Sequence, residues 1–277
     1  MTIAETIRDS KQYNLSTLEI LLLLEKILKT RKELILANTD KNLTKKAEYE
    51  FLNQINHIKS GIPLHYILEL KEFMGIKFYI NKHVLIPRAD TECLVEEALI
   101  QIKKNNLNKI LDLCCGSGCI GLSIAHYLQK KVILSDISTK ALKVALKNTK
   151  RLKLENCIEI LHSDLLKYIN KEFDLIITNP PYLTKNELKK KEKLEREPRI
   201  ALLGFGKDGL EIPKKIIKQA KHKLTQNGLL IIELAPWQTK LLKKFAIQEG
   251  FSYLRTLYDI EKRERALMLR TNNDTSL

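Results

Sequence analysis

Four consecutive residues, Asn179-Pro180-Pro181-Tyr182, carry groups that could hold a planar NH2 group in place. The Asn179 side chain offers a carbonyl oxygen, and Pro180 offers a backbone carbonyl whose direction is restricted by the proline ring. Two acceptors can bind both N–H groups of one amide or aromatic amine, while the Tyr182 ring covers its flat face. Because the nitrogen lone pair of such a group is delocalised, the nitrogen must be held in line with an electrophile. These residues therefore predict a site that positions a planar nitrogen for group transfer.

The same four residues directly follow a predicted buried strand. Leu175 to Thr178 form a short apolar run, and the two prolines cannot continue the hydrogen bonding of a strand. Ligands of α/β sheets bind at the carboxyl ends of the strands, which is where Asn179 stands. At average residue usage, this tetrapeptide should occur by chance in about one chain in a thousand of this length. We interpret it as a functional site; a rigid turn after a strand is the alternative.

A glycine-rich loop upstream has the spacing of a nucleotide-binding turn. Gly116, Gly118 and Gly121 lie in a Gly-x-Gly-x-x-Gly pattern between a predicted strand and the next predicted helix. Asp136 ends the following strand twenty residues after Gly116, where a carboxylate can bind the two hydroxyls of an adenosine ribose. Its alternative role is to cap the helix that begins near Thr139. The arrangement suits either a dinucleotide or S-adenosylmethionine.

Three further residues extend this predicted cofactor site. Asp112 could face the amino group of a methionine moiety, and Asp164 ends the third strand, where an adenine usually lies. Leu165 could pack on the adenine ring, and an ordinary turn carboxylate is the alternative for both acidic residues. With S-adenosylmethionine in the loop, Asn179 and Pro180 would direct a methyl transfer. That reaction needs neither a metal nor a side-chain nucleophile. The methylated nitrogen would afterwards lose a proton to solvent.

The elements that must position these residues alternate between strand and helix. This alternation predicts an α/β fold with a doubly wound, mainly parallel sheet. In chain order, the predicted segments are helix 92–103, strand 109–113, helix 120–128, strand 132–136, helix 139–152, strand 158–161, strand 175–178, helix 212–224, strand 229–234, helix 239–249 and strand 263–270. Asp90 or Thr91 is expected to cap the first of these helices.

The segment before this alternation has a different pattern. Residues 1–70 show helical hydrophobic spacing, with a capping-box pattern at Ser16 and Glu19, and predict a small helical bundle. Residues 71–86 alternate between apolar and polar side chains around a predicted Asn81-Lys82 turn, which indicates a β-hairpin. We therefore expect a helical domain over 1–70, a hairpin joint over 71–86 and the α/β domain over 87–277.

Composition and charge restrict the class of partner. The chain of 277 residues has 48 Lys and Arg against 33 Asp and Glu, and its formal net charge of +15 favours attraction to nucleic acid or to an acidic protein. Part of this excess lies in the basic run from Lys185 to Arg199. With no secretory signal pattern and no long apolar run, we expect a cytoplasmic protein without a membrane partner. Five cysteines without a paired Cys-x-x-Cys pattern indicate neither a zinc site nor disulfides.

These motifs resemble a known family. Asp112, Gly116-Ser117-Gly118 and the Asn179 to Tyr182 motif are similar to the Rossmann-like class I methyltransferases, which use S-adenosylmethionine to modify planar NH2 or NH groups. Other segments narrow the resemblance to the peptide chain release factor glutamine methyltransferases, the PrmC/HemK family. These segments are Gly61 to Ile67, Glu72 to Gly75, Leu85 to Glu96, Glu197-Pro198, Ala201-Leu202 and Asp208 to Leu210.

The resemblance implies a function, a cofactor and a set of site residues. The family methylates N5 of the glutamine in the Gly-Gly-Gln loop of bacterial class 1 release factors, and S-adenosylmethionine becomes S-adenosylhomocysteine. Its helical N-terminal domain contacts the release factor, and no stable nucleic acid complex is expected. The implied cofactor-binding positions are Gly116, Ser117, Gly118, Cys119, Ile120, Asp136, Leu165 and Asn179. The implied glutamine-binding positions are Asn179, Pro180, Pro181 and Tyr182.

Other functions explain part of the sequence. The basic run also suits an RNA or DNA amino-group methyltransferase, although the chain lacks aromatic clusters and has one tryptophan, Trp237. A ribosomal-protein glutamine methyltransferase is a close alternative, but Asp90 to Cys93 favours the release-factor type. An NAD-dependent oxidoreductase would explain Gly116 to Asp136 and leave Asn179 to Tyr182 unexplained. If the protein were a non-enzymatic adaptor, cofactor binding would be absent or would have no function.

Overall fold

The structure is a computed structural model that describes residues 1–190, 194 and 196–271. The chain divides into two compact units, Met1–Leu70 and Lys71–Leu277. Lys191 and Lys193 of the predicted basic run lie outside the described residues. No helix in the described part of the chain has both the length and the apolar character needed to cross a membrane.

The first unit is helical. Its helices are α1 (Ile3–Arg8), α2 (Thr17–Leu28), α3 (Lys32–Leu36), α4 (Lys45–Lys59) and α5 (Leu64–Leu68). The predicted capping box is confirmed at the start of α2, where Ser16 and Glu19 exchange side-chain and backbone hydrogen bonds. A second box, between Thr2 and Glu5, begins α1. The apolar faces of these helices pack together in one buried cluster that contains Phe51, which is fully buried.

A β-hairpin follows, formed by β1 (Leu70–Phe73) and β2 (Ile76–Tyr79). Its turn is Met74-Gly75, so the prediction of an Asn81-Lys82 hairpin turn was wrong. Met74 and Gly75 have φ values of 51° and 69°, which suit a two-residue turn whose twist matches that of paired strands. Asn81 instead turns the chain after β2, where its Oδ1 accepts from the His83 N–H at 3.0 Å. Methionine rarely adopts positive φ, so Met74 gave no signal for the true turn.

The second unit contains a large sheet covered by helices. Its strands are β3 (Ile110–Leu113), β4 (Val132–Asp136), β5 (Ile158–His162), β6 (Phe173–Thr178), β7 (Leu224–Glu233), β8 (Phe251–Tyr258) and β9 (Glu264–Thr271). Its helices are α6 (Glu92–Asn105), α7 (Cys119–Leu128), α8 (Thr139–Arg151), α9 (Lys185–Lys190), α10 (Glu211–Ala220) and α11 (Thr239–Gln248). Two buried apolar clusters flank the sheet: α6, α7 and α8 contribute to one, and α10 and α11 to the other.

Within the described residues, the seven strands lie in the order β5-β4-β3-β6-β7-β9-β8. The first five are parallel, and β9 runs antiparallel between β7 and β8. The predicted doubly wound, mainly parallel sheet is thus confirmed. Strand β8 was missed, because it lies at the sheet edge with mixed burial and lacks a regular apolar alternation.

Parallel register brings several strand ends to one edge of the sheet. Leu113 pairs with Ser135 on one side and with Thr178 on the other. Thr178 in turn pairs with Ile232. The residues just beyond these four are Cys114, Asp136, Asn179 and Glu233. Chain segments far apart in sequence therefore present their next side chains at a common edge.

Neither residue predicted to cap α6 does so. Thr91 occupies the N-cap position, but its side chain makes no capping hydrogen bond. The Asp90 carboxylate instead pairs with Arg265 of β9, with Oδ2 2.6 Å from Nη2. The capping prediction was wrong because both side chains have partners that are distant in sequence.

Candidate active site

A cleft opens at this edge of the sheet. The glycine loop after β3 and the residues that end β4 and follow β6 form much of its wall. The predicted site residues that line it are Gly116, Ser117, Cys119, Ile120, Asp136 and Asn179. The glycine loop and the Asn-Pro-Pro-Tyr segment therefore meet in one cleft.

Asp136 ties the glycine loop to the end of β4. Its Oδ2 accepts from the Gly116 N–H at 2.9 Å, and its Oδ1 accepts from the Ser138 N–H at 2.8 Å. Burial raises the pKa of Asp136, and hydrogen bonds from these backbone N–H groups oppose the rise. Helix α8 is capped by Ser138, whose Oγ accepts from the Ala141 N–H. Asp136 is thus not the cap of that helix, and its carboxylate faces the cleft.

The glycines of the loop do different things. Gly116 has a φ of 54°, and a Cβ placed on it would meet no atom within 4 Å, so open space lies in front of the backbone. A Cβ on Gly121 would lie 2.3 Å from Leu134 Cδ2, so the bare backbone lets α7 pack closely on the sheet. Room for a ligand at one glycine and close helix packing at another are the features of a nucleotide-binding turn.

Asp112 lies behind the loop rather than in the cleft. It is fully buried, and its Oδ2 accepts from the Gly121 N–H at 2.8 Å. Burial raises the pKa of Asp112 to about 8, although the Gly121 N–H opposes the rise. Its Oδ1 has no hydrogen-bond partner within the described part of the chain. Asp112 holds β3 against the start of α7, so the structure does not support the hypothesised contact with a methionine amino group.

Asn179 projects into the cleft from the end of β6. Its amide nitrogen Nδ2 donates to Thr91 Oγ1 at 3.1 Å. This hydrogen bond uses the nitrogen of the side-chain amide, so the side-chain oxygen is the atom left to accept from a ligand. Thr91 itself lines the cleft and is buried.

Pro180, Pro181 and Tyr182 lie next to the cleft but do not line it. The Tyr182 hydroxyl donates to Glu233 Oε1 at 3.0 Å, and the Tyr182 backbone oxygen accepts from Gln238 Nε2 at 2.8 Å. Burial raises the pKa of Tyr182 well above its usual value, so the phenol stays neutral. The Tyr182 hydroxyl is therefore held by the last residue of β7, and its backbone oxygen by a residue of the turn that follows β7.

Two other predicted cofactor residues are also outside the cleft lining. Gly118 is the N-cap of α7, with a φ of 79°, and its N–H donates to the Cys115 carbonyl at 2.7 Å. Leu165 has a φ of 50° and packs half-buried against the apolar cluster on the side of α10 and α11. Gly118 therefore shapes the turn, and Leu165 packs in an apolar cluster that the loop residue Cys114 also contacts.

Several cleft residues were not predicted as site residues from their chemistry. His83, Arg88 and Thr91 line the cleft. Arg88 pairs with the buried carboxylate of Glu197, which also accepts from the Ile86 N–H at 3.0 Å. These residues lie in or beside the 85–96 and 197–198 segments that carried the family resemblance. That resemblance was the sequence feature that could have indicated them as site residues. Among the described residues, no group of three His, Cys, Asp or Glu side chains could hold a metal ion.

The comparisons with known proteins agree with this geometry. The methyltransferase small domain family matches residues 91–196. A release factor glutamine methyltransferase of Borreliella burgdorferi is 65% identical over 277 residues, covering 100% of this chain and 97% of that protein. One from Clostridium acetobutylicum is 37% identical, covering 89% of this chain and 88% of that protein. A solved 16S rRNA methyltransferase from T. thermophilus, in complex with AdoMet and guanosine, has the same fold, with a TM-score of 0.54, 16% identity and coverage of 73% of this chain and 50% of that one.

Proposed function

Because the chain belongs to the release factor glutamine methyltransferases, we propose a role for each part of the cleft. The protein is a methyltransferase that modifies a glutamine of release factors. We propose that the modified atom is N5 of the glutamine in the Gly-Gly-Gln loop of bacterial class 1 release factors. The observation that supports this assignment most directly is that Asn179, an acceptor for a planar amide, shares its cleft with the glycine loop.

The glycine loop and Asp136 fit S-adenosylmethionine. The cofactor would supply an electrophilic methyl group on its sulfonium, and S-adenosylhomocysteine would remain. The open space at Gly116 allows a ligand to contact the backbone, and the Asp136 carboxylate keeps lone pairs that can accept from ribose hydroxyls. Ile137 adds an exposed apolar side chain to the same wall, and Leu165 is proposed to add apolar contact with the adenine. The proposed loop contacts are Gly116, Ser117, Gly118, Cys119 and Ile120.

Asn179 and Pro180 would position the substrate amide. The Asn179 side-chain oxygen and the Pro180 carbonyl can each accept one N–H of the glutamine NH2 group, which fixes the nitrogen in line with the methyl group. Pro181 keeps the following backbone rigid, and Tyr182 is proposed to cover the amide plane. The chain would orient the substrate amide and exclude other geometries. The proton that the methyl group replaces on the amide nitrogen would leave to solvent.

The proposed protein substrate suits the charge of the chain. A net charge of +15 attracts an acidic release factor, and we propose that residues 1–70 take part in docking it. Nucleic acid is not proposed as a stable partner. A release factor substrate places the proposed reaction in the cytoplasm.

A mixed-substrate methylation assay tests the proposal. Purified protein is incubated with labelled S-adenosylmethionine and with unmodified release factor, total RNA and ribosomal proteins in parallel. We expect label in the release factor and none when the glutamine of its Gly-Gly-Gln loop is replaced by alanine. Label in RNA or in a ribosomal protein, with none in the release factor, would contradict the function. Binding of NAD in place of S-adenosylmethionine would contradict the cofactor.

The backbone behind the Asn-Pro-Pro-Tyr segment offers a further prediction. A Cβ on Gly204 would lie 1.9 Å from the Gly209 carbonyl oxygen and 2.7 Å from Tyr182 Cα. Because both neighbours are backbone, Gly204→Ala must displace the segment that carries Asn179. We expect kcat to fall roughly tenfold to a hundredfold, the cost of a misplacement of about 1 Å. The measurement is kcat with the release factor saturating.

Gly206→Ala in the same loop is the matched control. A Cβ on Gly206 would meet side-chain atoms of Glu211 at 3.1 Å, and these can move. Its φ of 72° makes alanine strained there by about 1 kcal/mol, so a modest loss of thermal stability is expected without a large loss of kcat. Equal kcat values for the two variants would show that the close contact at Gly204 is unimportant for catalysis.

A further inference from the structure

Asn148 is a buried residue of helix α8 whose side-chain amide does not line the cleft. It is 1% exposed. Its Nδ2 donates to the backbone oxygens of Tyr79 and Ser117, both at 2.9 Å. Its Oδ1 accepts from the Tyr79 N–H at 2.7 Å. Both N–H groups and the oxygen of the amide are therefore used, and all three of their partners are backbone groups.

One of these partners belongs to the glycine loop. Ser117 stands between Gly116 and Gly118 and lines the cleft. Its carbonyl oxygen is turned toward α8 by the hydrogen bond from Asn148. The N–H of the same peptide group belongs to Gly118 and donates to the Cys115 carbonyl at 2.7 Å. Because a peptide group is planar, these two hydrogen bonds fix its orientation and so fix the loop backbone at the cleft.

The other partner is the last residue of the hairpin strand β2. The Tyr79 N–H donates to the Asn148 amide and the Tyr79 carbonyl accepts from it. A residue paired in a neighbouring antiparallel strand would make the same two hydrogen bonds. The chain then turns and enters the wall of the cleft, to which residues 83–88 contribute His83, Val84, Leu85, Pro87 and Arg88. Asn148 therefore anchors the start of this wall as a strand partner would.

An asparagine amide suits this arrangement because it has two donors and one acceptor close to the backbone. The two carbonyl oxygens need donors, and the Tyr79 N–H needs an acceptor. An ionised aspartate at the same position could accept from the N–H, but it would repel both carbonyl oxygens. A buried polar group that loses its partner is costly, so loss of Asn148 destabilises two parts of the cleft wall together.

We propose that Asn148 is a positioning residue that joins the glycine loop to the wall formed by residues 83–88 and thereby sets the affinity of the cleft for S-adenosylmethionine. The inference rests on the proposed function, because it needs this cofactor in the cleft. A loop that is held in its bound conformation before the ligand arrives avoids the entropy cost of ordering. No motif in the sequence singled out Asn148, whose partners Ser117 and Tyr79 are 31 and 69 residues away.

Two replacements of Asn148 test this role. Asn148→Leu keeps a similar volume and removes all three hydrogen bonds. Asn148→Asp keeps an acceptor for the Tyr79 N–H but loses the donors to the two carbonyls. Each should weaken S-adenosylmethionine binding roughly tenfold to thirtyfold, measured by calorimetric titration at a temperature where the variant is fully folded. With both substrates saturating, kcat should change by less than about threefold, because the proposed amide acceptors Asn179 and Pro180 are left in place.

Thr149→Val is the matched control. Thr149 is the next residue of α8, is 2% exposed, and donates its hydroxyl to the Ala145 carbonyl at 2.9 Å. This substitution removes a buried hydrogen bond that stays within the helix, so it should lower the melting temperature and leave cofactor affinity unchanged. Tyr127→Phe is a second control, because the Tyr127 hydroxyl donates to the Met74 carbonyl at 2.7 Å and holds the hairpin at its turn. It should also leave cofactor affinity unchanged.

Three outcomes would overturn the proposal. The first is an affinity in Asn148→Leu or Asn148→Asp equal to that of the unmodified chain. The second is an equally large loss of affinity in Thr149→Val or Tyr127→Phe, because the loss would then reflect general destabilisation. The third applies if Asn148→Leu fails to fold: Asn148→Ser can donate to only one of the two carbonyls, and its affinity should not match that of the unmodified chain.

Failure of the proposed function gives a different result. In that case the unmodified chain itself does not bind S-adenosylmethionine or transfers no methyl group to the release factor. Normal binding by the unmodified chain together with normal binding by the Asn148 variants would sink only the role of Asn148.

Discussion

Replacing Asn179 with alanine is expected to lower kcat for methyl transfer to a release factor by about two to three orders of magnitude. The substitution removes the side-chain oxygen proposed to orient the substrate NH2 group, and loss of one such preorganised group typically has an effect of this size. The described structure gives the Asn179 side chain one hydrogen bond, to Thr91, so folding should lose only about 1 kcal/mol. The measurement is the single-turnover rate with labelled cofactor, together with the melting temperature of the same preparation.

Asn108→Ala is the matched control for this experiment. Asn108 is exposed and precedes β3. It therefore lies at the amino ends of the parallel strands, whereas the cleft lies at their carboxyl ends. Its removal should leave kcat unchanged. A rate for folded Asn179→Ala close to that of the unmodified chain would mean that the planar amide is held elsewhere.

Replacing Asp136 with alanine is expected to weaken S-adenosylmethionine binding by about tenfold to a hundredfold. The change removes the charged acceptor proposed for the ribose hydroxyls, and a hydrogen bond to a charged group contributes about 1.5 to 3 kcal/mol. It also leaves the Gly116 and Ser138 N–H groups without the carboxylate that now binds them at 2.9 and 2.8 Å. Calorimetric titration with the cofactor measures the affinity directly. Asp136→Asn, which keeps one carbonyl acceptor, should lose less.

Asp174→Ala provides a closely matched comparison. Its carboxylate accepts from the Asn108 and Lys109 N–H groups at 2.9 and 3.0 Å, but it lies near the amino end of β6. Both alanine variants therefore remove an aspartate that holds two backbone N–H groups, and both should lose thermal stability. Only Asp136→Ala should lose cofactor affinity. Equal affinities in the two variants would show that Asp136 supports the loop without binding the cofactor.

Local patterns in the sequence were sufficient for much of the fold. The strand before Asn179 and the alternation of strands and helices could be predicted from short-range hydrophobic spacing. The observed sheet contains these strands. The failures have local causes too: the Met74-Gly75 turn uses a residue that rarely takes positive φ, and β8 is an edge strand without a regular pattern. Thr91 looked like a helix cap because cap propensity is local, whereas its partner Asn179 is 88 residues away.

The sequence by itself determined the class of chemistry, because the chemical groups that it needs stand in two short motifs. Asn179 with Pro180 offers two acceptors, and the glycine loop with Asp136 offers a nucleotide site, whatever surrounds them. Only the tertiary structure decided which side chains control them. Tyr182 meets Glu233 across 51 residues, and Thr91 meets Asn179 across 88. The order and register of the parallel strands determine which distant residues become neighbours. No single segment of the chain determines that order or that register. Arg88 and Glu197, 109 residues apart, are joined for the same reason.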